Sequence, residues 1–148
     1  MADRRRADQM PPQSNFAGLL GIEIVKVTPE EVVCRMVVTE AMANRNGVLH
    51  GGAMMTLADN AAGSAAFINS DPDRTNTTVE AKTNFIRAVR VGDVLTARCV
   101  PLQAGRRIQV LQVTVTRGDG KVAAVTTQTH LVLEWQDSAQ TFQSEEAQ

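Results

Sequence analysis

Asp59 is the only charged residue between Arg45 and Asp71. It stands eight residues after Gly51, the first glycine of the run His50-Gly51-Gly52, inside an Ala-rich apolar segment. Asp is a poor helix former, and an isolated buried carboxylate is costly unless water or donors solvate it. Residues that would share its face of a helix, Met55, Thr56, Ala62, Gly63 and Ala66, carry no charge, so Asp59 is not part of a solvated stripe. Two readings follow from the residues alone. Backbone donors or a partner subunit satisfy a structural carboxylate, or the group acts as general base or nucleophile. Gly51 has a similar pair of uses. Its N–H, at the positive end of a helix dipole, suits a developing negative charge, and glycine lets a ligand approach the backbone, while Gly-Gly pairs also simply make turns. His50 has the residue type of a proton carrier, but no serine motif or metal-ligand cluster accompanies it.

The elements that must position these residues follow from periodicity. Ala53, Leu57, Ala61 and Ala65 repeat at helical spacing, which predicts a helix over residues 53–68 that carries Asp59. So many alanines make a thin helix, able to lie close against a concave sheet. Before it, a helical turn over residues 16–20 precedes two strand-like runs, 21–27 and 31–38. Thr28-Pro29-Glu30 separates the runs and suggests a hairpin. After it, Asp71-Pro72-Asp73 ends the helix, and strand-like runs follow at 75–86, 94–102, 106–117 and 121–135. Gly92-Asp93, Gly105 and Gly118-Asp119-Gly120 mark the turns between them. Two strands, one long helix and four strands imply an α+β domain over residues 15–135, with the helix packed on one face of an antiparallel sheet. Residues 1–14, with three adjacent arginines and a Pro-Pro pair, read as a disordered, solvated tail, and residues 136–148, with Phe142 their only aromatic residue, as a flexible one.

Composition narrows the function. Fifteen basic residues against sixteen acidic ones lack the cationic excess of broad nucleic-acid binding, so DNA and RNA are not expected partners. Cys34 and Cys99 are far apart in apolar runs and belong to no CxxC or Cys/His cluster; they read as buried free thiols in a reducing compartment. No apolar run reaches transmembrane length and no hydrophobic signal block is present at the N-terminus, which leads us to expect a cytoplasmic protein with no membrane span. There is no P-loop or dinucleotide fingerprint.

The segment NGVLHGGAMMTLADNAAG, residues 46–63, resembles the signature of hotdog-fold acyl-CoA thioesterases of the phenylacetic-acid-degradation, or PaaI-like, type. Residues 77–93 are similar to the family's next strand and turn, and residues 104–130 to its closing hairpin; the likeness spans residues 16–135. It implies a curved antiparallel sheet wrapped around one long central helix, in agreement with the order derived above. It also implies that Asp59 activates a water molecule or attacks the thioester itself, a choice the sequence leaves open. Gly51 would polarise the carbonyl. His50 shapes the loop before the helix, Asn44 orients the carbonyl or water with Asn46 as a competing choice, and Thr78 matches a hydroxyl position that binds the attacking water. Gly52 and Asn60 flank these positions as substrate-binding candidates. Arg87, Arg106 and Arg107 are candidates for the phosphates of coenzyme A, with Arg90 and Lys121 as further cations.

Related hotdog enzymes build each site across a dimer interface, so a homodimer or homotetramer is expected. The leading expectation is therefore an acyl-CoA thioesterase giving free acid and coenzyme A. It would need no metal and no cofactor, coenzyme A being part of the substrate. The alternatives are a non-catalytic acyl-CoA binding or sensing module and dehydration of a hydroxyacyl thioester; against the latter, no separate Asp/His pair of the hydratase kind is evident.

Overall fold

The computed structural model describes residues 4–135; residues 136–148, expected to form a tail, lie outside that range. The chain enters through a short helix, α1 (Asn15–Leu19), whose first turn is capped by Ser14 accepting from the Ala17 N–H. A hairpin of β1 (Glu23–Val27) and β2 (Val32–Val37) follows. The long helix α2 (Gly51–Ile68) comes next, then β3 (Arg74–Phe85), β4 (Val94–Ala104), β5 (Ile108–Thr116) and β6 (Val122–Glu134). Each α-helix and strand lies where the sequence predicts it, with ends shifted by at most two residues.

All strand pairs are antiparallel, in one six-stranded sheet of order β1-β2-β4-β5-β6-β3. The Arg117–Lys121 connection between β5 and β6 turns at Gly120, whose φ of 80° is the left-handed value glycine adopts without strain. This is the hotdog arrangement, an α+β fold in which the sheet curves around α2. Small side chains make the close approach possible: Ala58, Ala61, Ala62, Ala65 and Ala66 are all buried against the sheet. They meet a core that includes Cys34, Met36, Leu95, Ala97, Leu111, Val113 and Val115 from β2, β4 and β5. Cys34 and Cys99 are free and buried; burial pushes the thiols up to about 11 and about 12, so both stay protonated at neutral pH.

Two departures from the expectation matter. First, α2 begins at Gly51 rather than residue 53, because His50 supplies the cap: its Nδ1 accepts from the Gly52 N–H at 2.8 Å. Second, residues 4–14 are not simply a solvated tail. Arg5 is only 7% exposed and is tied to the body, and residues 7–9 form a 3-10 turn. No helix among the described residues is long and apolar enough to cross a membrane.

Candidate active site

The side of α2 that carries Asp59 is the side the sheet leaves open. Gly52, Met55 and Asp59 are exposed along it, and Thr56, Asn60, Gly63 and Ser64 are half-buried. Asp59 is therefore a surface carboxylate of the single chain, which removes the burial cost that made it anomalous in the sequence.

The sheet nonetheless reaches it. Gln128 Nε2 donates to Asp59 Oδ1 at 3.0 Å, and the Thr78 hydroxyl donates to the same oxygen at 3.2 Å. Asp59 Oδ2 has no hydrogen-bond partner among the described residues, so one oxygen is held and the other is free to face a ligand or water. Behind this pair lies His130, 1% exposed. Its Nε2 is 2.8 Å from Gln128 Oε1 and its Nδ1 is 3.0 Å from Asn76 Oδ1. Because Gln128 spends its NH₂ on Asp59, its carbonyl faces the ring, and His130 Nε2 must carry the proton. Nδ1 faces the Asn76 Oδ1, to which it can donate only when the ring carries both protons. Burial lowers the His130 pKa, and the Asp59 charge pulls against that shift.

Strand geometry explains how these groups meet. Thr126, Gln128 and His130 alternate along β6 and are all buried, so the inward face of this strand is polar where it passes beneath α2. Thr78 pairs directly with His130, and a β-bulge between Thr78 and Glu80 re-aims the edge strand beside the carboxylate. Asn76, Gln128 and His130 were not singled out from the sequence. The signal was the run Thr126 to His130, polar at every position in a strand that had to cover a helix.

At the start of α2 a second group assembles. Gly51 makes no hydrogen bond through its N–H among the described residues, whereas the Gly52 N–H is consumed by His50, so Gly51 is the open donor. A Cβ at Gly51 would come within 3.3 Å of the Phe85 ring. Asn44 and Arg87 line the same cavity of about 290 Å³ as Gly51 and Phe85. The Asn44 Oδ1 accepts from the N–H groups of Asn46 and Val48, leaving its NH₂ for a ligand. Arg87 donates to the Val122 carbonyl. Asn46 is exposed in the turn.

The structure does not bring all expected site residues together within one chain. Gly51, Asn44 and Arg87 gather at the helix start, and His50 and Gly52 are engaged with each other there. Asp59, Thr78 and Asn60 gather at mid-helix, where Asn60 Nδ2 also donates to the Cys34 thiol at 3.6 Å. Arg106 and Arg107 lie beyond the far end of α2; Arg106 lines a cavity of about 550 Å³ with Asn69, Asp71 and Gln109, and Arg107 a neighbouring one with Arg74.

The model of the thioesterase superfamily matches residues 46–124, which holds both the Gly51 and the Asp59 groups. The chain belongs to this superfamily. Membership places it among thioester hydrolases, and solved structures of similar shape agree. It is similar to the Haemophilus influenzae thioesterase HI1161, with 31% identity, TM-score 0.77, and coverage of 82% of this chain and 85% of that one. It is similar as well to the E. coli PaaI protein of the phenylacetic acid degradation operon, with 25% identity, TM-score 0.77, and coverage of 81% and 85%. Among characterised sequences, the 1,4-dihydroxy-2-naphthoyl-CoA hydrolase of Listeria monocytogenes is 30% identical over 72% of this chain and 85% of its own length.

Proposed function

We propose that this superfamily member hydrolyses acyl-CoA thioesters to a carboxylic acid and coenzyme A, using Asp59 as base or nucleophile and the Gly51 N–H as oxyanion donor. The observation that carries the reading is the state of Asp59: one oxygen fixed by Gln128 and Thr78, the other without a partner, on the open face of a superfamily member's central helix. A positioned carboxylate can take a proton from water or attack the carbonyl, and an unpaired N–H at a helix start stabilises the oxyanion that forms. Asn44 would add a side-chain donor beside Gly51. Arg87, Arg106 and Arg107 remain the candidates for the phosphates of the coenzyme, which enters as part of the substrate; no cofactor is required.

The two halves of this site belong to different copies of the chain. Eight residues of one helix separate Gly51 from Asp59, about 12 Å at a rise of ~1.5 Å per residue. Groups that act on one carbonyl must lie within about 3 Å of the reacting atoms. In this reading, as in related hotdog enzymes, the Gly51 of one protomer meets the Asp59 of another. β3 offers the surface for this: it is an edge strand of 12 residues, exposed along most of its length, with Val79, Phe85 and, just beyond its end, Ile86 exposed. The free thiols Cys34 and Cys99 suit a reducing, cytoplasmic setting.

The test is thiol release from a panel of aryl and fatty acyl-CoAs by the wild-type protein and by Asp59→Asn. Loss of several orders of magnitude in kcat, with the variant folded, is expected. Undiminished turnover would remove Asp59 from the reaction, and tight acyl-CoA binding with no turnover in the wild type would make the protein a binding module.

A further inference from the structure

The arginine-rich segment before the domain has a role that the proposed hydrolysis does not account for. Arg5 reaches across the C-terminal end of α2 and donates to three carbonyls, Phe67 O at 3.2 Å, Pro72 O at 3.0 Å and Arg74 O at 2.6 Å. Its guanidinium also stacks on the Phe67 ring, 3.6 Å from the centroid. A cation at this end of a helix meets the negative pole of the dipole, and a buried guanidinium held by three carbonyls and a ring, with the Asp73 charge nearby, is firmly fastened. Arg4 and Arg6, its neighbours in sequence, are exposed. One arginine of the three is an anchor.

The segment is fastened again at its other end. Gln13 Nε2 donates to the Ile22 carbonyl at 3.3 Å, and Ser14 caps α1. Between the two fastenings run Met10, Pro11 and Pro12, with Met10 extended as a residue before proline must be. This stretch faces α2 across a cavity of about 280 Å³, with Met10 to Ser14 on one side and Asp59, Asn60, Gly63 and Ser64 on the other. Phe67, the ring beneath Arg5, lines the same cavity. The cleft beside Asp59 is thus walled on one side by a strap that Arg5 holds in place.

We propose that residues 10–14 form a wall of the acyl-binding pocket and that Arg5, by pinning that wall over Phe67, sets the size of acyl group accepted. The proposal rests on the reading of Asp59 as the thioesterase carboxylate. Within one chain this open cleft holds about 280 Å³, just below the roughly 300–1,000 Å³ of ligand pockets. The class of substrate is accordingly a compact acyl group, a ring or short chain, rather than a long extended alkyl chain. Two consecutive prolines make the wall stiff, so it cannot bulge outward for a longer chain while Arg5 is docked.

The experiment compares wild type, Arg5→Ala and the double variant Pro11→Gly/Pro12→Gly, which loosens the wall without touching the anchor. Each is given benzoyl-CoA and dodecanoyl-CoA as substrates, and the non-hydrolysable thioethers S-benzyl-CoA and S-dodecyl-CoA in calorimetry. Wild type is expected to favour the compact member of each pair. Both variants are expected to shift the compact-to-long ratio of kcat/KM, and of affinity, at least tenfold toward the long chain. Hydrogen exchange should rise at residues 4–14 in Arg5→Ala. General destabilisation would lower both substrates together and leave the ratio unmoved. An unchanged ratio in a variant whose residues 4–14 have become exchange-labile overturns the proposal, as does an unchanged ratio in the folded Gly/Gly variant. The thioether affinities separate this outcome from failure of the hydrolytic reading, since a protein that hydrolyses nothing would still reveal whether the strap selects by chain length.

Discussion

Gln128 Nε2 stands 3.0 Å from Asp59 Oδ1, a donor from the buried face of β6 fixing a carboxylate on the open face of α2. Its own carbonyl is held 2.8 Å from the His130 ring, so its amide has one orientation. Hydrogen bonds to charged groups are worth ~1.5–3 kcal/mol. Gln128→Leu, which fills the space but removes the donor, is expected to lower kcat by about 10- to 100-fold with little change in KM. Gln128→Glu removes the donor and sets a second carboxylate against Asp59, and is expected to lower kcat further than Gln128→Leu does. Wild-type kcat in the folded Leu variant would remove Gln128 as the group that positions Asp59.

The N–H of Gly51 can be deleted without deleting the helix. Gly51 occupies the first position of α2, where proline is tolerated because that N–H makes no helical bond, and His50 before it already has the extended backbone proline requires, φ −64° and ψ 136°. Gly51→Pro is therefore expected to keep its circular dichroism spectrum. Its kcat should fall by about 10²–10³-fold, the usual cost of one oxyanion donor. The new ring would crowd Phe85, which is exposed and able to move aside; adding Phe85→Ala should leave the kinetic defect in place. Recovery of the rate in that double variant would assign the defect to crowding and not to the lost donor.

His130 links the same network to acid stability. Burial lowers its pKa from the ordinary 6.5, so the unfolded chain takes up this proton more readily than the folded one. The sign follows: the contribution to stability is complete above about pH 6.5 and is lost as the pH falls from there through the lowered folded value. Urea titrations on either side of that pH should give a falling unfolding free energy on the acid side. His130→Gln should flatten this dependence. Equal slopes in variant and wild type would remove His130 as its source.

Much of the fold was legible because its signals are local. Ala53, Leu57, Ala61 and Ala65 mark a helix by spacing alone, and Gly118-Asp119-Gly120 marks a hairpin. The helix start was misplaced by two residues because His50, outside the usual set of capping residues, takes that position through Nδ1. Asp59, Gly51 and Thr78 were legible through a resemblance and through a charge out of place. Gln128 and His130 were not, since a polar residue on a strand is remarkable only once the pairing reveals which face is inward. Arg5 was hidden for a related reason. Its three acceptors come from the end of α2, the turn beyond it and the start of β3, more than 60 residues away in sequence, and nothing in a run of three arginines distinguishes the one that docks.

The separation of Gly51 and Asp59 along one helix leads to a test that needs neither a partner structure nor an inhibitor. If each site takes Gly51 from one copy and Asp59 from another, Asp59→Asn and Gly51→Pro are defects in different halves. Homodimers of either variant have no intact site. A heterodimer of the two has one, made from the Gly51 of the Asp59→Asn chain and the Asp59 of the Gly51→Pro chain, while its second site carries both defects. Equal mixing with free exchange makes half the dimers mixed, so activity should return to about a quarter of the wild-type value. Reversible dissociation in mild denaturant followed by dilution supplies the exchange, with wild type carried through the same steps as reference. Introducing Val79→Lys and Ala81→Lys into both chains, to charge the exposed edge of β3, should abolish the recovery and yield inactive monomers in sedimentation. No recovery from mixed dimers whose formation is verified by differently sized tags would place both groups of each site in one chain and overturn the two-copy site.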